Sequence, residues 1–221
     1  MVLNRTLCAV LTGLIVLGFT GCGGGGNGPP PIITTQILSD PGIDGDIEQA
    51  SPSSFSIVQG MSPTVQSVFA GIDPLALTEF RAFLDFPLSG PGGVRGKAII
   101  QSAFLNIFVN SIQPISGTAP MLVELVSFQP PTLLATDFDS TLQPPLAITR
   151  VVPPISGADV GTDVAIDVTA LMVQAQRLRL ANFQVRILQE PGVGTPVLVE
   201  INDTTGANRG DLAPLLTVNF L

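Results

Sequence analysis

Histidine, tryptophan and tyrosine are missing from the 221 residues, lysine occurs once, at Lys97, and cysteine twice, at Cys8 and Cys22. Without histidine there can be no His-containing metal cage, no Ser-His-Asp relay and no Cys-His nucleophile. A Schiff base could form only at Lys97. Phenylalanine supplies all the aromatic surface, with 12 residues. Basic residues are scarce too: nine Arg and Lys stand against 17 Asp and Glu, a formal net charge of −8. An acidic chain excludes nucleic acid as the expected partner and says nothing against neutral sugars or cations.

The first 22 residues have the order of an export signal: a positive charge at Arg5, an apolar run from Leu7 to Phe19, then small residues before a cysteine. That run is too short to span a bilayer, which takes about 20 apolar residues. Phe19-Thr20-Gly21-Cys22 resembles the bacterial lipobox, with Phe19 in place of the usual leucine. The resemblance implies that residues 1–21 are a lipoprotein signal peptide and that Cys22 becomes the lipidated first residue. The alternative is an ordinary cleaved signal that ends by chance at a cysteine. Loss of Cys8 and Arg5 with the signal would leave Cys22 as the only thiol, exclude any internal disulfide, and take the net charge from −8 to −9. The glycine and proline run behind Cys22 reads as a flexible, then stiff tether, and residues 22–42 are expected to be linker. Gly23 is not the acidic residue that often retains such proteins at the inner membrane, so the outer membrane or cell surface is the expected location.

Residues 43–221 are expected to form one all-β domain, because the recurring period is two. In EFRAFLDF, Phe80, Ala82, Leu84 and Phe86 share one face, and Glu79, Arg81 and Asp85 the other. In ANFQVRIL, Phe183, Val185 and Ile187 alternate with Gln184 and Arg186. Both patterns predict half-buried strands. SFSIVQ, VQSVFA, MLVELVSF, PVLVEIN and PLLTVNF are further strand candidates bounded by turn residues. The run from 98 to 109 is apolar on both faces, which predicts a central or covered strand. One short helix is expected near residues 169–178, with Leu171, Ala175 and Leu178 on its apolar stripe and Asp167 or Thr169 as cap.

DFDS, AIDVTALMVQAQRLRLANFQVRIL and APLLTVNF, preceded by RAFLDFPL and AIIQSAFLNIFV, resemble in order and spacing the blocks of DNRLRE-type domains, over roughly residues 80–221. That resemblance implies a jelly-roll-like β-sandwich of exported bacterial and archaeal surface proteins, often lipoproteins, related to carbohydrate-binding modules and polysaccharide-disaggregating enzymes. Asp167 and Thr169 match the family's helix-entry turn, Arg186 the last basic residue of its "FRLR" strand, and Val185 a core position. The chain departs from carbohydrate-binding members in lacking Trp and Tyr, the usual sugar platforms.

Several constellations are candidate sites. LLATDFDSTL resembles the nucleophile motif of haloacid-dehalogenase phosphatases, with Asp137 as nucleophile and Asp139 as acid or base. No lysine follows Lys97 to complete it, and Pro144-Pro145 stop a helix from forming directly behind the motif. Asp44, Asp46 and Glu48 offer alternate carboxylates that suit a structural Ca²⁺, with Asp203 and Glu200 as further ligands; the competing reading is a solvated strand edge. Arg177, Arg179 and Arg186 could grip an acidic polysaccharide or pair with the domain's own carboxylates. Arg209-Gly210-Asp211 spells an adhesion tripeptide or a plain loop. No catalytic residue is assigned. The expectation is a lipid-anchored envelope β-sandwich, non-catalytic, structural or associated with polysaccharide. The alternatives are an enzyme acting on extracellular polysaccharide and a carbohydrate-binding module.

Overall fold

The computed structural model describes residues 30–60, 66–94, 96–128 and 132–221. The expected signal peptide and Cys22 lie outside the described residues. The fold is the expected all-β, jelly-roll-like sandwich. Its strands are β1 Ile33–Leu38, β2 Gly45–Ser51, β3 Ser54–Gln59, β4 Ser67–Ile72, β5 Glu79–Pro87, β6 Ile100–Gln113, β7 Thr118–Ala119 and β8 Met121–Val126. A short helix α1, Ala135–Phe138, precedes β9 Ala147–Arg150, β10 Ile155–Ser156 and β11 Asp163–Asp167. Helix α2, Thr169–Leu178, leads to β12 Asn182–Gln189, β13 Leu198–Asn202, a four-residue helix α3, Arg209–Leu212, and β14 Leu215–Phe220. Among the described residues no helix is long and apolar enough to cross a membrane.

The strands run antiparallel in the order β1-β14-β6-β13-β4-β5-β12-β8-β9, with β11 added beside β6 and the β2–β3 hairpin beside β5. This curled sheet closes over one main core. Leu84 and Phe86 of β5, Val185 and Ile187 of β12, Leu105 and Ile107 of β6 and Val218 of β14 all lie in it. Each such side chain contributes about 1.5–3 kcal/mol by leaving water. The run from 98 to 109 falls in β6, which is central as expected, with β14, β11 and β13 all paired to it.

Two expectations need correction. The linker does not extend to residue 42: β1 pairs with β14 from Ile33 opposite Phe220 to Leu38 opposite Leu215. The compact unit begins at Pro31. As an edge strand β1 buries only Ile37, so its sequence, ITTQIL, carries no alternation to read. Nor are β5 and β12 half-buried. Phe83, Asp85, Gln184 and Arg186, on their outer face, are buried as well. A second, smaller core lies there: Ile47, Phe83 and Val126 of the sheet pack under Phe128, Leu133 and Phe138 from the segment that follows β8.

Helix α2 falls where expected, built from good helix formers such as Ala170, Leu171, Met172 and Gln174. Its buried stripe is Val168, Leu171, Met172 and Ala175, an i, i+3, i+4, i+7 set, while Leu178 is 43 % exposed. After Leu178 the chain turns left-handed at Arg179, φ 56°. There the Leu180 N–H bonds the Ala175 carbonyl and the Arg179 N–H that of Gln176, closing the helix end. At the other end, Asp167 accepts the Thr169 N–H at 2.9 Å, and the Thr169 hydroxyl accepts the Ala103 N–H of β6 at 2.9 Å. Asp167 thus shapes the helix-entry turn, and Thr169 pins the helix to the sheet.

Candidate functional site

A cleft of about 430 Å³ opens in the corner where the β2–β3 hairpin stands against β4 and β13. Asp46 and Glu48 of β2, Ser67 and Phe69 of β4, Phe80 of β5 and Glu200 of β13 line it. Strand register brings them together. Glu48 lies opposite Phe80 across β2–β5, and Glu200 lies opposite Phe69 across β4–β13. Strand β4 reaches both neighbours through Gly71, at φ 122°, where a Cβ would meet the Val197 carbonyl oxygen at 2.1 Å. No other residue fits that approach.

The three carboxylates differ in what already holds them. Glu200, between the core residues Val199 and Ile201, points away from the core. It accepts the hydroxyls of Ser67 and Ser111, each at 2.8 Å, and the Asn110 amide at 3.4 Å. Asp46 is 2 % exposed and accepts the Phe69 N–H at 3.1 Å. Burial pushes its carboxyl up to about 7, the nearby Glu48 charge adds to the rise, and the Phe69 N–H opposes it. Near neutral pH Asp46 therefore exists in both protonated and charged forms. Glu48 is half-buried and makes no hydrogen bond or ion pair among the described residues, so it is the acceptor left for a ligand. The rings of Phe69 and Phe80 lie 5.9 Å apart, tilted by 56°.

The structure places the other sequence-derived candidates elsewhere. Asp44 is buried apart from this cleft, accepting the Asp85 N–H at 2.7 Å. Its surroundings are Asp203, Ser39 and Arg209, and burial first, then the Asp203 charge, raises its carboxyl well above the usual range. Asp203 meets Arg209 at 3.4 Å, and burial pushes it up to about 6. The solvated strand edge is overturned, because Asp44 and Asp46 are both buried and β3 covers the far side of β2. Nor do Asp44, Asp46 and Glu48 form a calcium cage: among the described residues no group of three or more such ligands converges on a metal position.

The three arginines do not converge either. Arg177 and Arg179 are exposed at the end of α2. Arg186 is wholly buried, with its Nη2 2.6 Å and its Nε 2.7 Å from Glu124. It also donates to the Asp137 carbonyl, the Ser140 hydroxyl and the Gln143 carbonyl. Arg81, from β5, donates to the Phe138 carbonyl and stacks over the Phe138 ring at 4.0 Å. These two arginines clamp the DFDS segment to the sheet. Within that segment Asp137 accepts the Leu134 N–H, and Asp139 accepts the N–H and hydroxyl of Thr141, so both carboxylates serve local turns. Among the described residues no strand leads directly into them, as the nucleophile motif of such phosphatases would require. Arg209 of the RGD tripeptide sits in α3 and turns inward to Asp203, Thr204 and Ser39.

Sequence reading grouped Asp46 and Glu48 with Asp44 as calcium ligands, with Glu200 and Asp203 as additions, but missed Phe69 and Phe80 as part of a site. Phe80 follows Glu79 at the start of its strand, but Phe69, in SVFAGI, has no acidic neighbour, so nothing local pointed to the pair. The chain matches no protein-family model and no curated protein.

Proposed function

We propose that the chain is an exported lipoprotein, anchored to the envelope through a lipid on Cys22, whose β-sandwich associates with extracellular polysaccharide without chemistry of its own. The observation that carries the binding half of this reading is the corner cleft. A sugar ring offers a C–H face that packs on aromatic rings and hydroxyls that need acceptors. The cleft sets the Phe69–Phe80 pair beside Glu48, whose carboxylate has no hydrogen-bond or ion-pair partner among the described residues. Its volume of about 430 Å³ is that of a small-molecule site. The dispersal of Arg177, Arg179 and Arg186 favours neutral over acidic glycans. The anchoring half is supported by the sequence around Cys22, and the jelly-roll-like fold agrees with the DNRLRE-type resemblance.

The test is retention of the purified chain, without residues 1–22, on a panel of immobilised neutral polysaccharides. At least one should retain it, and Phe80→Ala and Glu48→Gln should each weaken binding by about tenfold while leaving the melting temperature within a few degrees. Equal retention of both variants, or none on any polysaccharide, overturns the cleft as the binding site. One observation favours a second reading, an enzyme on the same polymer: Asp46, with its carboxyl pushed up to about 7 by burial, lies beside a second carboxyl group, Glu48, as paired acid and base groups would. Release of new reducing ends from a retained polysaccharide, abolished by Asp46→Asn, would establish that reading instead.

A further inference from the structure

The sheet half formed by β1, β14 and β6 carries a mixed outer face, with Gln36 and Thr217 in one row beside the exposed Phe104. Thr34, Asn219 and Ser102 form a hydrogen-bonded ladder across the three strands, at 2.7 and 2.8 Å. One step nearer the start of β1 this character changes. Leu221 and Ile99 exchange both backbone hydrogen bonds at 3.1 Å, which sets them directly opposite each other. The β1–β14 register, Ile33 opposite Phe220, continues to place Ile32 beside Leu221. Ile32, Leu221 and Ile99 thus make an apolar row across the sheet end, with Ile32 64 % and Ile99 63 % exposed. Lys97, the only lysine of an acidic chain, is exposed two residues before Ile99.

We infer that this row docks on the surface of the bilayer that holds the anchor, with Lys97 at the level of anionic headgroups. The inference rests on the lipid-anchor reading above. Two observations commit the row to a lipid surface. The chain from Cys22 to Ile33 is 11 residues long, a reach of at most about 40 Å, and it enters the domain beside Ile32. An exposed apolar row with the exposed Lys97 beside it, on a domain otherwise rich in carboxylates, matches a membrane interface of apolar depth under anionic headgroups. Docking also orients the cleft. Glu200 is bonded to Ser111 and Asn110, near the far end of β6, about 35 Å along the strand from Ile99. With the Ile99 end on the bilayer, the cleft faces outward, where polysaccharide would be met.

The test uses the lipidated chain purified from membranes and reconstituted into vesicles of phosphatidylethanolamine and phosphatidylglycerol. With Cys22 blocked by lipid, an introduced cysteine is the only free thiol. Gly96→Cys, where a Cβ meets nothing within 4 Å, reports the row, and exposed Ser56→Cys reports the cleft end. Spin labels there should differ: the label at 96 should be several-fold less accessible to a water-soluble nickel relaxant than the label at 56, and more accessible to oxygen. Ile32→Asp with Ile99→Asp should erase the difference while the chain still floats with the vesicles. A chain that floats with both labels equally wet overturns the docking alone. A chain that does not float overturns the anchor reading, and the docking with it.

Discussion

Replacing Arg186 with alanine is expected to cost about 3–5 kcal/mol of folding stability, the toll of removing one partner from a buried ion pair. Glu124, 4 % exposed, would be left as an uncompensated charge. The Ser140 hydroxyl and the Gln143 carbonyl would lose a donor, and the segment over Ile47 and Phe83 would lose one of its two clamps. Most domains have only about 5–15 kcal/mol in hand, so denaturant midpoints should fall sharply. The paired replacement Arg186→Met with Glu124→Leu should recover most of the loss, because two apolar side chains need no compensation. A loss below about 1 kcal/mol for the single variant would show that the clamp carries little. A double variant no better than the single one would place the cost in the segment's own bonds, not in the stranded charge.

The second large effect is expected from pH. Asp46 is raised to about 7 and Asp203 to about 6, and Asp44 and Asp85 are raised as well, all chiefly by burial. An acid with a raised folded pKa binds more protons folded than unfolded between its two pKa values. Stability therefore falls as pH climbs through that window, from about 4 to about 7 for Asp46. At about 1.4 kcal/mol per pH unit, Asp46 alone could account for roughly 2–4 kcal/mol. On the acid side, Asp73, Asp139 and Asp167 have lowered pKa values, held down by hydrogen bonds from their own turns, and their contribution is lost as pH falls through those values. The melting temperature should peak near pH 4 to 5 and drop toward pH 8. Asp46→Asn keeps an acceptor for the Phe69 N–H and should raise the melting temperature at pH 8 with little change at pH 5. A wild-type melting temperature that rises from pH 5 to pH 8 would contradict this electrostatic picture.

The same burial explains what sequence reading could and could not see. The inner face of β12 was legible, because Phe183, Val185 and Ile187 alternate and all three are buried in the core. The outer face was not. Gln184 and Arg186 look like solvent-facing residues, but Arg186 is held by the segment around α1, more than 40 positions earlier in the chain, and Gln184 donates to the buried Asp85 of β5. Asp44 and Asp46 misled in the same way, since their burial depends on pairing with β3 and β5 and on the approach of β4. The cleft was legible only as scattered parts: its Phe69–Phe80 pair forms where β4 and β5 meet over two residue pairs. Helix α2 was the easiest element to read, because a helix satisfies its backbone within ten residues.

Membrane docking and an outward-facing cleft both depend on the lipid at Cys22, so the intact mass of the mature chain from its native membrane is the most direct test. The chain should begin at Cys22 and weigh more than residues 22–221 by a thioether-linked diacylglyceryl group, and Cys22→Ser should abolish both cleavage and the added mass. A mature chain that begins elsewhere, or that carries an unmodified Cys22 thiol, would contradict the lipoprotein reading.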